Sequence, residues 1–278
     1  MINYPEFSLA FLTVADCSPL EAISVASQAG YGLVGLRLLP ATLEEKEYSL
    51  LTNNQLLIEV KKALSDTGVK VADVELIRLN ADFDINNFLP FLNRVSELGA
   101  KNVTVVGDDA DRNRLIDNFE CLCGSAAEFE LTFNLEPIPW TAVRTLDEAM
   151  SIIHKVNKDS ACILIDALHF YRSEMTLDDL SKIPENLIRL FQICDAPALF
   201  NKDVNEIRNL ARTSRLIPGE GGLDLLSLIE RIPKSAVVSI EVPNSKLIAN
   251  MPPLTRALEM LQSTKELYSQ LPGLNRDC

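Results

Sequence analysis

The sequence predicts an α/β fold, a single (β/α)8 barrel over residues 1–278. Short β-branched runs alternate with stretches whose apolar residues recur at helical spacing. The centres of the apolar runs recur about every 27 to 38 residues, the size of one strand-plus-helix unit in a parallel sheet. Eight such runs fit a chain of 278 residues, close to the roughly 250 typical of a closed barrel.

In chain order, the first strand is predicted over Phe7–Leu12. A helix follows over Pro19–Ala29, opened by a Ser18 cap and first-turn proline and stopped by Gly30. Strand Val34–Leu38 is followed by helix Asn54–Thr67, which Gly68 ends, and then by strand Val71–Ile77. Helix Ile85–Leu98, strand Val103–Val106, helix Asp111–Phe129 and strand Leu131–Leu135 continue the alternation. Thr145-Leu146-Asp147-Glu148 has capping-box spacing and opens a helix to Lys158. Strand Cys162–Ile165 precedes helix Leu177–Ile183, whose Asp178 and Asp179 suit a helix N-terminus. Strand Leu187–Ile193 leads into a charged loop with Pro and Gly, Ala196–Gly222, then helix Leu223–Ile232, strand Val237–Val242 and a final helix over Pro253–Leu271. A doubly wound open sheet is the competitor, but no G-x-G-x-x-G follows the first strand. No composition break or low-complexity linker divides the chain.

Charge and composition exclude several classes. With 26 Lys+Arg against 39 Asp+Glu the net charge is −13, which opposes a nucleic-acid or anionic-membrane footprint. A local basic pocket for an anionic substrate stays compatible with that charge. No apolar run reaches the ~18 residues of a membrane span. The apolar stretch from Phe7 to Ala15 is preceded by Glu6 rather than Lys or Arg, and Asp16 precedes Cys17, so neither a secretory signal nor a lipid-attachment site is read there. A cytoplasmic protein is expected. The six cysteines (Cys17, Cys121, Cys123, Cys162, Cys194 and Cys278) lack zinc-ligand spacing and are read as buried or incidental thiols.

The chemistry of a parallel barrel sits at the C-terminal ends of its strands. There the sequence reads Asn134-Leu135-Glu136, Asp166-Ala167-Leu168-His169, Gln192-Ile193-Cys194-Asp195 and Ile240-Glu241-Val242. Four consecutive strands thus deliver an oxygen ligand from within an apolar run. Ionised carboxylates in such surroundings are costly unless paired or coordinated, and a divalent cation is the simplest neutraliser of Glu136, Asp166 and Glu241. The alternative is that each acid caps a helix or pairs with Arg37, Arg172 or Arg215.

These stretches, with Pro218-Gly219-Glu220-Gly221 and Leu223-Asp224, resemble the xylose isomerase-like TIM barrel superfamily. This sugar phosphate isomerase/epimerase group includes inosose isomerases, tagatose epimerases and dehydroshikimate dehydratases. The resemblance covers most of the chain in layout and is motif-specific from the fifth strand onward. It implies one divalent metal held by Glu136, Asp166, Glu241 and, where the family has a histidine, Gln192. An all-oxygen set favours Mn²⁺ or Mg²⁺ over Zn²⁺. It also implies that His169, on the loop above the sixth strand, contacts substrate oxygen and serves catalysis. Arg215 is then a substrate-binding residue, with Arg172 a second candidate, and Arg37 balances the acidic mouth or binds a substrate carboxylate. Glu220 is read as a loop-organising acid and His154 as a surface or packing residue.

The implied reaction is isomerisation or epimerisation of a sugar, sugar phosphate or inosose. Glu136 and Glu241 would act as base and acid around a metal-stabilised enediolate. The alternative is a lyase: a hydroxyl β to the carbonyl is expelled with His169 as acid, as in dehydratases of inosose or 3-dehydroshikimate. Arg37, Arg172 and Arg215 suit a carboxylate-bearing substrate of that kind. Abasic-site endonucleases share the barrel but use several histidines, and this chain has 2. A metal-free binding barrel is a further hypothesis, kept open by Gln192. The expected partner is a small polyhydroxy carbonyl compound. Leu254, Leu258, Met260 and Leu261 are expected to pack the last helix on the barrel, with a homo-oligomer contact as the alternative.

Overall fold

A computed structural model describes residues 4–41, 45 and 49–272. Cys278 lies outside the described residues. The strands are β1 (Phe7–Leu9), β2 (Leu33–Arg37), β3 (Lys70–Leu79), β4 (Asn102–Gly107), β5 (Thr132–Glu136), β6 (Ala161–Asp166), β7 (Ile188–Ile193) and β8 (Val237–Ile240). Each pairs in parallel with its sequence neighbours, and β1 pairs with β8, so the sheet closes into an eight-stranded barrel. The helices are α1 (Pro19–Ala29), α2 (Asn54–Thr67), α3 (Ile85–Glu97), α4 (Arg112–Gly124), α5 (Ala126–Phe129), α6 (Leu146–Val156), α7 (Ala167–Arg172), α8 (Leu177–Leu180), α9 (Val204–Thr213), α10 (Leu225–Ile229), α11 (Ser245–Asn250) and α12 (Pro253–Ser269).

Local chemistry accounts for the boundaries. At α1, Ser18 Oγ accepts from Glu21 N at 3.3 Å while Glu21 accepts from Ser18 N at 2.7 Å, the reciprocal box that satisfies two orphan amides. Thr145 and Thr176 open α6 and α8 in the same way. Helix α1 buries Ala22, Ile23, Ala26 and Ala29, and packs against α12, which buries Met260 and Leu261. Leu254 is half-buried on the core and Leu258 faces outward.

The structure redraws several predicted elements. The first strand stops at Leu9, because the chain turns into a 3₁₀ turn over Phe11–Val14. There the buried Thr13 Oγ1 donates to Ile240 O at 2.8 Å and accepts from Val242 N at 2.9 Å, clasping the residues on either side of Glu241. The predicted Asp111–Phe129 helix breaks after Gly124, where Ser125 Oγ turns back onto Leu122 O at 2.7 Å. The Ala196–Gly222 loop contains α9, capped by Asp203, and the last strand ends at Ile240, one residue before Glu241. His169 lies in the short helix α7, which Asp166 caps, instead of a loop.

Candidate active site

At the C-terminal ends of the strands lies a cavity of about 330 Å³, lined among others by Arg37, Glu75, Thr104, Glu136, Trp140, His169, Gln192, Arg212, Arg215 and Glu241. Glu136 ends β5, Asp166 ends β6, Gln192 is the penultimate residue of β7 and Glu241 follows β8. The structure brings all four together, each at most 6% exposed.

Arg215 holds the centre of this group. Its Nη1 donates to Asp166 Oδ2 at 2.5 Å and its Nη2 lies 3.0 Å from Glu241 Oε2. Its Nε is anchored on Ala211 O at 2.9 Å, so the guanidinium is fixed from behind. The backbone is fixed too: Asp195 and Leu216 exchange hydrogen bonds at 2.9 and 2.8 Å, and Arg215 N donates to Pro243 O at 3.2 Å. Asp195, not the exposed Glu220, organises this loop. Its carboxylate accepts from the amides of Ala196, Gly219, Gly221 and Leu223 at 2.8–3.1 Å. A Cβ on Gly221 would meet Asp195 Oδ1 at 2.2 Å, so the closeness of that wrap requires glycine.

The expectation that each acid pairs or caps is therefore met at two positions. Asp166 accepts from His169 N at 2.8 Å as the α7 cap and also pairs with Arg215. Burial pushes the Asp166 carboxyl up, but Arg215 and His169 outweigh it and hold it below the usual range. Glu241 accepts from Gln192 Nε2 at 2.8 Å, yet burial keeps its carboxyl well above the ordinary value. Glu136 differs. Its carboxylate lies 3.6 Å from His169 Nε2, and burial with the Asp166 charge raises its carboxyl strongly. Burial lowers His169 to about 4, so the imidazole is neutral near pH 7.

Two ligand atoms are left without partners: Gln192 Oε1 and His169 Nδ1 are buried and unbonded. Glu136, Asp166 and His169 each offer an atom within 4.8 Å of the others. Buried acceptors with no donor, beside an uncompensated carboxylate, fit a cation. A divalent metal would be held by Glu136, Asp166 and His169, with Gln192 Oε1 and Glu241 adjoining.

On the opposite wall, Arg37 pairs with Glu75 and with Glu45. It lines the cavity as expected, but its guanidinium is committed to those two acids. Arg172 is corrected: it is absent from the cavity lining, donates to Pro197 O at 2.7 Å and lies over the Phe200 ring. Among the described residues, Arg212 lines the cavity with no ion-pair partner, and Arg78 lines it while pairing with the half-exposed Asp108 at 2.7 Å. Sequence reasoning missed Glu75, Arg78, Arg212 and Trp140. Glu75 had a readable signal, an acid within the apolar run Val71–Ile77, whereas Arg212 lay in a helix read as loop. His154 is exposed on α6, as expected.

The family profile described as xylose isomerase-like TIM barrel matches residues 23–267, and the chain belongs to that family. An inosose isomerase of Bacillus licheniformis is 32% identical over 110 residues, 37% of this chain and 36% of the relative. A 3-dehydroshikimate dehydratase of Pseudomonas aeruginosa is 25% identical over 153 residues, 54% of this chain and 23% of the relative. These matches span well under two thirds of the relatives' own lengths. A crystal structure of the IOLI protein with a zinc atom superposes at TM-score 0.79 and 18% identity, covering 96% of this chain and 99% of that one. No described helix is long and apolar enough to cross a membrane.

Proposed function

We propose that the chain is an enzyme that removes a proton beside a carbonyl of an anionic, hydroxylated substrate and expels the β-hydroxyl as water. This is a dehydratase of the 3-dehydroshikimate kind. The observation that carries this choice is Arg212, which lines the cavity with no ion-pair partner among the described residues, whereas Arg37, Arg78 and Arg215 there are each paired with acids. Arg212 is free among the described residues to meet a substrate carboxylate. The P. aeruginosa dehydratase aligns with 54% of the chain at 25% identity, and the inosose isomerase with 37% at 32% identity, so the relatives are compatible with either reaction.

Glu241 serves as the base. Gln192 and Arg215 fix its orientation. Burial raises its carboxyl, which makes the ionised form a stronger proton acceptor. It takes the C–H proton next to the carbonyl, the β C–O bond breaks, and the same proton passes to the departing hydroxyl, which leaves as water. His169, neutral, donates a hydrogen bond to substrate oxygen. Trp140, whose ring meets His169 edge-on at 5.0 Å between centroids, walls that side. A divalent ion, when bound, supplies Lewis-acid polarisation of the carbonyl and stabilises the charge that develops on its oxygen.

Isomerisation or epimerisation is the second reading, favoured by the inosose isomerase relatives. It uses the same first step but returns the proton to carbon. The deciding experiment incubates the chain and Mn²⁺ with 3-dehydroshikimate, and separately with inosose in D₂O. Formation of the aromatic dehydration product supports the dehydratase. Deuterium wash-in or isomerised inosose without dehydration supports the isomerase. Neither reaction, with wild type unable to bind metal, would leave a binding barrel.

A further inference from the structure

The first strand leaves the barrel early, and one hydroxyl takes over a bond that it abandons. β1 and β8 run side by side with Phe7 opposite Val238 and Leu9 opposite Ile240. Rungs of a parallel pair are evenly spaced and recur every second residue along each strand. Val238 N donates to Glu6 O and Ala10 N donates to Ile240 O, both at 3.3 Å. The next rung in that rhythm would run from Val242 N to Ala10 O. The chain has already turned there, and Ala10 O accepts from Thr13 N at 3.2 Å. Thr13 Oγ1 stands in for the missing carbonyl: it accepts from Val242 N at 2.9 Å and also donates to Ile240 O at 2.8 Å.

Those two bonds fall on the two peptide groups that meet at the Cα of Glu241. Peptide groups are planar, so φ and ψ at one residue are the only soft angles relating its two planes. A hydroxyl that grips both planes fixes those angles. Threonine suits the task, because its hydroxyl donates and accepts at once and its branched carbon restricts the rotamer. Thr13 and Ile240 are fully buried and Val242 nearly so, which keeps both bonds out of contact with solvent. On the other edge Glu241 N donates to Ile193 O of β7 at 3.0 Å. The turn itself is seated on β2. A Cβ on Gly35 would stand 3.2 Å from Phe11 N and 3.5 Å from Ala10 Cα, and the Arg37 guanidinium lies 4.6 Å from the Phe11 ring centre.

We propose that Thr13 is a positioning residue for Glu241, an inference that rests on the reading of Glu241 as the base. It sets the backbone angles at Glu241, and with them the point where the carboxylate meets Gln192 and Arg215. Leu12 and Ala15 line the cavity and Thr13 does not, so it acts through the backbone and touches no substrate.

The test compares Thr13→Val, which keeps the shape without the hydroxyl, with Thr13→Ser, which keeps the hydroxyl. Thr264→Val is the control: Thr264 is fully buried on α12 and its hydroxyl donates to Met260 O at 2.7 Å, away from the cavity. In crystal structures of the full chain, the Glu241 carboxylate should leave Gln192 Nε2 in Thr13→Val and stay on it in Thr13→Ser. With Mn²⁺ and the substrate that wild type turns over, Thr13→Val should lower kcat about 10- to 100-fold with KM changed less than about twofold. That split marks a misplaced reacting group rather than weaker binding. Thr13→Ser should recover most of kcat, and Thr264→Val should keep it. A Glu241 carboxylate unmoved in Thr13→Val would overturn the proposal, as would equal kcat losses in Thr13→Val and Thr264→Val. Should Thr13→Val not fold, Thr13→Ser decides alone, and a displaced Glu241 with both hydroxyl bonds intact would overturn it. A wild type that turns over neither substrate would instead overturn the reading of Glu241 as base, and the carboxylate's place in the variants would still decide the role of Thr13.

Discussion

The two walls of the cavity solve one electrostatic problem differently. On the β2–β4 wall Arg37 lies between Glu75 and Glu45, and on the β5–β8 wall Arg215 lies between Asp166 and Glu241. Each wall thus seats one buried guanidinium against two carboxylates. The difference is what remains. The β5–β8 wall keeps a third carboxylate, Glu136, beside a histidine and an unbonded amide oxygen, a set suited to coordination. Unbonded oxygens occur on both walls, Glu75 Oε1 on one and Gln192 Oε1 on the other, so what distinguishes the reactive wall is the histidine that joins its acids into one group of ligand atoms within 4.8 Å of one another.

Removing the two arginines in turn gives the largest expected effects. Arg215→Gln leaves Asp166 and Glu241 buried without counter-charge and should lower stability by about 3–5 kcal/mol in urea unfolding. Because those acids then lack a cation, Mn²⁺ should raise the melting temperature of Arg215→Gln more than that of wild type. Arg37→Gln should cost about 3 kcal/mol, the low end of that range, since Glu45 is partly exposed. Mn²⁺ should not restore it. Equal rescue of both variants would show that the walls do not differ in their affinity for a cation.

The reactive wall was the legible one, for a physical reason. Glu136, Asp166, Gln192 and Glu241 stand at or beside strand ends, where a rule about barrel chemistry directs attention. Glu75 and Asp73 sit inside β3, which runs on to Leu79, so reading only strand ends passes them over. The arginines divided differently. Arg215 was found through its neighbouring Pro218-Gly219-Glu220-Gly221, but that loop's true organiser, Asp195, makes its bonds to backbone amides, which leave no trace in side-chain pattern. Arg172 failed because a helix, α7, replaced the expected loop and turned the residue away from the cavity. Arg212 was missed because α9 is mostly polar and was read as loop. The alternation of strands and helices survived all of these local errors, since it rests on burial repeated eight times.

A smaller effect tests the support of Arg215. Gly221→Ala forces its methyl onto Asp195 Oδ1, 2.2 Å from the ideal Cβ, and should cost about 1–3 kcal/mol. The loss should be accompanied by weaker anion binding in the cavity, because the loop that seats Arg215 shifts. Gly124→Ala, where a Cβ meets nothing within 4 Å, is the control and should leave both unchanged.

Two aspartates should sharpen the comparison through opposite pH responses. Burial and the Glu75 charge raise the Asp73 carboxyl in the folded protein. A group raised on folding contributes stability that is full below its unfolded value, near ~3.9, and is lost as pH rises through the folded value. Asp166 is lowered, so its contribution is present above ~3.9 and is lost as pH falls through the folded value. Urea melts across pH should therefore show Asp73→Asn gaining relative to wild type as pH rises. Asp166→Asn should lose most at neutral pH and least in acid. Parallel curves for the two variants would contradict the opposed environments of these residues.

The smallest effect is a labelling difference that costs no stability. Cys194 is fully buried on the reactive wall, with Arg215 Nη1 3.4 Å from its sulfur. Burial pushes its thiol up to about 12 even though Arg215 pulls the other way, so the thiolate needed for alkylation is scarce near pH 8. Cys121 is exposed on α4. Brief iodoacetamide treatment followed by mass mapping should label Cys121 and spare Cys194. In Arg215→Gln the helix α9 loses the anchor at Ala211 O, and Cys194 should become labelled if that wall opens. Rapid Cys194 labelling in wild type would mean that the guanidinium is not seated between its two carboxylates. The distinction between the walls would then fail at its centre.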